Sequence, residues 1–186
     1  MEIRKIEKKD FKQVKKIYYE AFPKREQKPF RRFISSWKKG LNNIWVAMED
    51  GEMLGFVVTI PHGNIVLVEY LAVNHKMRSR GTGTALLNTA CDYYNQTMIL
   101  LIEKIDYTAD NNLQRIARKK FYARNGFGSS DLFINSKAGD LEIMCLRGTP
   151  TIQDFIDVQR VALGRWMFAM SNTIVYEDKD FNKKTA

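Results

Sequence analysis

Apolar positions recur first at helical and then at strand spacing. In KKDFKQVKKIYYEAF, Phe11, Val14, Ile17, Tyr18 and Ala21 return every three or four residues, which predicts a helix with Asp10 as its N-cap. REQKPFRRFISSWKKG places Phe30, Phe33, Ile34 and Trp37 at the same period and predicts a shorter helix closed by Gly40. The pattern then changes to long apolar runs. IWVAMEDGEMLGFVVTI is divided by Asp50-Gly51, a strong hairpin signal, and NIVLVEYLAV follows Pro61-His62-Gly63. Three successive antiparallel strands are expected.

From Gly81 to Asn95, the residues Leu86, Leu87, Ala90, Cys91 and Tyr94 share one helical face, and MILLIE (98–103) reads as a short buried strand. Strand, helix, strand with a crossover of that length predicts a parallel pair. A helix over 112–125 puts Leu113, Ile116, Ala117 and Phe121 on an inner stripe, stopped by Gly126. SDLFINSK and LEIMCLRG read as a hairpin turning near Ala138-Gly139. TIQDFIDVQRVALGRWMFAM reads as one amphipathic helix from a Thr151 cap, with Phe155, Val158, Ala162, Leu163, Trp166 and Met170 on its apolar face. That face either covers the sheet or makes a homodimer. The closing EDKDFNKKTA is polar and expected to fray.

The expected fold class is therefore α+β: a mostly antiparallel mixed sheet with one parallel strand pair, flanked by helices. The expected organisation is a domain over 1–148, a helical extension over 149–172 and a polar tail over 173–186. At 186 residues, 45% hydrophobic and 27% charged, the chain has the composition of a globular protein. No apolar run approaches the roughly 18 residues that would span a bilayer. MEIRKIEKKDF has no apolar signal core, so a cytoplasmic location is expected. Cys91 and Cys145 lie in apolar patterns and read as buried thiols. His62 and His75 are too few for a metal site, and no metal is expected. The net charge of +9 suits a polyanionic partner, but the basic pairs are scattered and read as solvated helix faces. With no helix-turn-helix or RNA-binding motif, neither nucleic acid nor membrane is expected as a partner.

RSRGTGTALL (78–87) joins a predicted strand to a predicted helix. The first N–H groups of a helix lack internal partners and carry partial positive charge. Gly81 and Gly83 expose the backbone, and Arg78 and Arg80 add charged donors, which together describe an anion site. A Walker loop fails, because Thr84 and Ala85 follow Gly83 where lysine and a hydroxyl residue are needed. A dinucleotide fingerprint finds Gly81, Gly83 and, about 20 residues further on, the acidic Glu103. It fails on Leu86, too bulky for the third glycine position, and on the three antiparallel strands upstream.

Arg78, Gly81 and Gly83 do meet the pattern (Gln or Arg)-x-x-Gly-x-(Gly or Ala), directly after a strand ending in YLAV. This resembles the GNAT superfamily of N-acetyltransferases. FYARNGF is similar to the family's aromatic-Tyr-x-x-x-Gly-Phe near its fourth helix, and the order of elements agrees over residues 1–148. EAFPKREQKPF followed by LQRIARKKFYARNGF is similar to a bacterial group of acetyltransferases, a match that names no acceptor. The resemblance implies acetyl-CoA as co-substrate and a splayed parallel strand pair. The backbone around Leu71, Ala72 and Val73 would hold the pantetheine arm. Arg78, Ser79, Arg80, Gly81, Thr82, Gly83 and Thr84 would hold the phosphates. The family's asparagine seven residues before its tyrosine is Arg115 here, and Asn112 or Asn111 would take its place. Tyr122 would serve the leaving thiolate. It lies nine residues, about 900°, from Leu113 and so opposite the predicted inner stripe. Glu69, sharing strand alternation with Leu71 and Val73, is the first candidate for general base, and Glu103 the second. The acceptor, a small-molecule or peptide amine, would sit near Phe22, Phe30, Phe33 and Trp37, unless these aromatics are core. The alternative function is a catalytically silent acyl-CoA-binding module of the same fold.

Overall fold

The computed structural model describes residues 1–77, 81–136 and 139–178. Among them, eight strands form one sheet: β1 (Glu2–Lys5), β2 (Asn43–Glu49), β3 (Glu52–His62), β4 (Ile65–Val73), β5 (Thr97–Glu103), β6 (Gly128–Ser136), β7 (Gly139–Leu146) and β8 (Ile174–Glu177). Their order is β1-β2-β3-β4-β5-β7-β6-β8, with one parallel pair and the other neighbours antiparallel. The helices are α1 (Phe11–Ala21), α2 (Phe30–Lys38), α3 (Thr82–Tyr93), α4 (Asn112–Arg124), α5 (Ile152–Leu163) and α6 (Arg165–Met170). The α+β class agrees with the changes of period along the chain. None of these helices is long and apolar enough to cross a membrane. Two compact units divide the chain, one of residues 1–61 and 68–95, the other of residues 62–67 and 96 onward.

In the first unit, α1 and α2 bury their predicted stripes. Val14, Ile17, Tyr18 and Phe33 join Ile44, Val46, Phe56, Val58, Tyr70 and Ala72 in one core, with Phe22, Phe30 and Trp37 packed against it. Tyr18 and Tyr70 meet edge-on with ring centroids 5.1 Å apart, and Phe22 meets Tyr70 at 4.9 Å. Removing such rings from water contributes roughly 1.5–3 kcal/mol each. Of the aromatics offered for the acceptor pocket, Phe33 is therefore a core residue, while Phe22, Phe30 and Trp37 are partly buried against it. β1 carries no apolar alternation in EIRK, yet it pairs along β2 from Glu2↔Met48 to Lys5↔Trp45. Asp10 does not cap α1 with its side chain. Its carboxylate instead accepts from Arg4 Nη1 at 2.7 Å, Arg4 Nη2 at 2.9 Å and the Glu7 N–H at 2.7 Å. The Arg4 guanidinium holds the Asp10 carboxyl below its ordinary value.

Gly55 marks a close approach of strands. The β2–β3 register slips by one residue next to its partner Ala47. A Cβ at Gly55 would stand 2.5 Å from the Ala72 carbonyl oxygen and 3.1 Å from the Val73 Cα. Both obstacles are backbone and cannot swing aside. Gly55→Ala is expected to lose about 2 kcal/mol, seen as a lower urea midpoint at unchanged m-value. An alanine variant with the wild-type midpoint would show that the end of β4 yields freely.

In the second unit, β7 pairs with β5 and with β6. The inner face of α4 is not the predicted apolar stripe: Leu113 is 82% exposed and Ala117 is also exposed. Asn112, Arg115, Ile116, Lys119, Phe121 and Tyr122 are the half-buried positions, so Ile116 and Phe121 of the predicted stripe share the inner side with polar residues. The cause is electrostatic. Lys119 Nζ lies 2.8 Å from Oε2 of Glu142, which is 0% exposed, and Arg118 Nη1 lies 2.9 Å from Glu103 Oε2. Ion pairs to the strands override the apolar period.

α5 starts at Thr151 as predicted, its hydroxyl accepting from the Asp154 N–H at 3.1 Å. The single predicted helix breaks at Gly164. Phe155 and Val158 are buried, whereas Trp166 and Met170 beyond the break are 85% and 69% exposed. β8 lies within the stretch read as tail and pairs with β6 from Leu132↔Glu177 to Asn135↔Ile174. Four residues bordered by charge give too little pattern to find. The hairpin's Ala138 lies outside the described residues.

Candidate active site

Arg78, Ser79 and Arg80 lie outside the described residues. Gly81 leads into α3 with φ +76, the left-handed conformation that side chains disfavour. The helical ladder starts with the Ala85 N–H to the Gly81 carbonyl at 2.9 Å. The amides of Thr82, Gly83 and Thr84 precede that ladder, and among the described residues no side chain caps them. Thr82 is 2% exposed, and its Oγ1 has no hydrogen-bond partner among the described residues. A buried hydroxyl left that way costs about 1–3 kcal/mol. An anion at this helix start would satisfy the amides and the hydroxyl together.

On β4 the side chains of Glu69, Leu71 and Val73 alternate with those of Tyr70 and Ala72. Leu71 and Val73 are half-buried, and Ala72 is buried. Glu69 Oε1 accepts from Lys28 Nζ, with side chains only 11% and 16% exposed. The segment between α1 and α2 delivers this lysine. Tyr18 Oη accepts from the Lys28 N–H at 2.7 Å, Tyr70 Oη donates to the Glu26 carbonyl at 3.3 Å, and Gln27 Nε2 donates to the Phe22 carbonyl at 2.6 Å. Burial pushes the Glu69 carboxyl above its ordinary value, while the Lys28 ammonium pulls it down. The contact of Lys28 with Glu69 is one that sequence reasoning missed. The two lie 41 residues apart, and no local motif joins them.

In the second unit, Tyr122 occupies the last turn of α4 beside Phe121 and Phe127, at ring separations of 5.1 and 6.0 Å. No described residue hydrogen-bonds its hydroxyl. Burial pushes its phenol up to about 12, with the Arg118 guanidinium opposing. At the start of α4, Asn111 Nδ2 donates to Glu103 Oε1 at 3.2 Å. Arg115 donates through Nε to Asn111 Oδ1 and through Nη1 to the Lys104 carbonyl, both at 2.8 Å. Asn112 differs: its Oδ1 is buried without a hydrogen-bond partner among the described residues. For Glu103, burial raises the carboxyl, but hydrogen bonds from Asn111 and Arg118 and the charges of Arg118 and Arg115 prevail and lower it. That makes Glu103 a clamp for α4 and a poor base.

The structure thus holds a mixed sheet with one parallel pair, a glycine-led helix start whose amides no described side chain caps, and a tyrosine-bearing helix after the next strand. Residues 40–128 match the acetyltransferase (GNAT) domain. Over 129 residues the chain is 31% identical to an uncharacterised N-acetyltransferase of Methanocaldococcus jannaschii, covering 68% of this chain and 78% of that protein. A protein of Bacteroides thetaiotaomicron assigned to the GNAT acetyltransferases superposes with a TM-score of 0.67 at 17% identity, over 90% of this chain and 99% of that one. An aminoglycoside 6'-N-acetyltransferase complexed with coenzyme A superposes at 0.65 and 16% identity, over 78% and 96%.

The chain belongs to the GNAT family of acetyltransferases and is an acyltransferase.

Proposed function

We propose that this protein transfers the acetyl group of acetyl-CoA to a primary amine, by direct attack of the amine within a ternary complex. The observation that carries the reading is the start of α3, where three amides adjoin the Thr82 hydroxyl, all of them without a side-chain partner among the described residues. Residues 78–84 take the pyrophosphate. Main-chain groups of Leu71, Ala72 and Val73 hold the pantetheine arm, and Asn112 Oδ1 accepts from one of its amides. The coenzyme A bound by the aminoglycoside acetyltransferase of the same fold supports this choice of donor.

In the transfer, the amine nitrogen forms a bond to the thioester carbonyl carbon, the C–S bond breaks, and one proton leaves the nitrogen. A lysine-like amine of pKa about 10.4 costs roughly 4.6 kcal/mol to deprotonate at pH 7, which a base must offset. Glu69 takes that proton, directly or through water. Tyr122 serves the sulfur. A phenol at about 12 would surrender its proton to a thiolate of ordinary pKa, about 8.5, only at a cost of roughly 5 kcal/mol. Its role is therefore a hydrogen bond to the charge growing on sulfur.

Gly81→Val tests the phosphate site. A β-branched residue resists φ +76, so the helix start must rearrange. At acetyl-CoA 100-fold above its Kd, the wild type is expected to gain about 2.7 kcal/mol of stability. The variant is expected to gain none, read as the loss of the ligand-induced Tm shift. An undiminished shift would move the phosphates away from this helix start.

A further inference from the structure

We propose that Lys28 is itself an acetyl acceptor, so that the enzyme acetylates the segment joining its own α1 and α2. The inference rests on the acetyl-CoA reading above and adds a modification site to it. Its ground is the contact between Lys28 Nζ and Glu69. The chain sets one of its own primary amines against the carboxylate assigned to take a proton from an amine. The placement is built, because Tyr18, Tyr70 and Gln27 each hydrogen-bond the backbone that leads to or carries Lys28. Glu69 is on the same side of β4 as Leu71, about 7 Å along the strand at two residues' rise.

Lys28 is also unlike the exposed lysines of the same region. Lys24 and Lys38 are exposed to solvent, whereas the Lys28 side chain is 16% exposed. For a water-exposed lysine, losing the proton strips a well-hydrated ammonium of its charge. Passing the proton from Lys28 to Glu69 instead removes two charges from a site of low exposure and leaves an amine and a carboxylic acid. Burial, which pushes the Glu69 carboxyl up, favours the same transfer.

The step balances. The Nζ lone pair forms a C–N bond to the thioester carbonyl carbon, and the C–S bond breaks with its electron pair going to sulfur. Glu69 holds the proton given up by the ammonium, and the second proton, lost from nitrogen as the amide forms, passes through water to the thiolate of CoA. The products are CoA thiol and ε-N-acetyl-Lys28, an uncharged amide that cannot pair with Glu69. Because the product stays in the chain, each molecule reacts once.

The test needs no knowledge of the external acceptor. Full-length protein is incubated with isotope-labelled acetyl-CoA, and acetylation is followed by peptide mass spectrometry. Trypsin cleaves after Arg25 and Arg31 and spares the Lys28–Pro29 bond, so one peptide reports Lys28 in both states. The expected result is acetylation of Lys28 at least about 10-fold faster than Lys24 or Lys38, at a rate independent of protein concentration, and slowed about 100-fold in Glu69→Gln. Lys28 labelled no faster than those two lysines, or equally fast in Glu69→Gln, would overturn the inference. A parallel measurement of the acetyl-CoA Tm shift separates the two levels. A normal shift with Lys28 unmodified defeats self-acetylation and leaves the acetyl-CoA reading standing, while no shift at all removes both.

Discussion

Tyr122→Phe is expected to turn over about 100-fold more slowly than the wild type, a loss of about 2.7 kcal/mol of transition-state stabilisation. The phenylalanine ring keeps the packing against Phe121 and Phe127 and removes only the hydroxyl. The Tm shift produced by acetyl-CoA should therefore survive, and kcat should carry the loss. With the phenol pushed up to about 12 by burial, its protonated form persists through the accessible alkaline range. Tyr122 itself should impose no fall in kcat up to a pH of about 10. Steady-state kinetics by release of CoA thiol, across pH, checks both statements. Full turnover in the phenylalanine variant would end the assignment, as would an alkaline decline below that pH that disappears with the hydroxyl.

Lys119→Met should destabilise the fold by about 3 kcal/mol, because it strands a buried carboxylate. Glu142 is 0% exposed, its Oε2 is held by Lys119 at 2.8 Å, and its Oε1 has no partner among the described residues. Along the sheet it lies opposite Ile102 and Phe133, apolar neighbours that offer the charge nothing. A double variant, Lys119→Met with Glu142→Leu, should recover most of the loss by replacing the pair with apolar packing. Urea unfolding of the wild type, both single variants and the double variant closes the cycle. If the lysine variant unfolds with the wild-type midpoint, α4 is not held by this pair.

The same pair explains where apolar period misled. Leu113, Ile116, Ala117 and Phe121 do form a stripe, but a stripe says only which residues share a side. Glu103 and Glu142 turned α4 toward its basic residues, and they come from β5 and β7, strands between which α4 and β6 intervene in the sequence. Tyr122, reasoned to lie opposite an inner stripe, is instead on the half-buried side itself. Local chemistry was more readable: the Thr151 cap needs only Asp154 three residues on, and it formed as expected. Asp10 had equally good local credentials, yet Arg4 on β1 claimed its carboxylate.

The order of residues by itself determined β2 to β7, α1 to α4, the Thr151 start of α5, the mixed sheet and the glycine-led start of α3, because each follows from contacts within a few turns or one crossover; β1, β8 and the break at Gly164 left no such pattern. It also carried the motifs of an acetyltransferase. Only the tertiary structure decided which charges meet: Lys28 with Glu69, Lys119 with Glu142, Arg118 with Glu103. Those pairings depend on burial and on distances between segments far apart in the chain. A side chain's electrostatic partner is set by which neighbours share its low-dielectric surroundings, and no local pattern of residues encodes that.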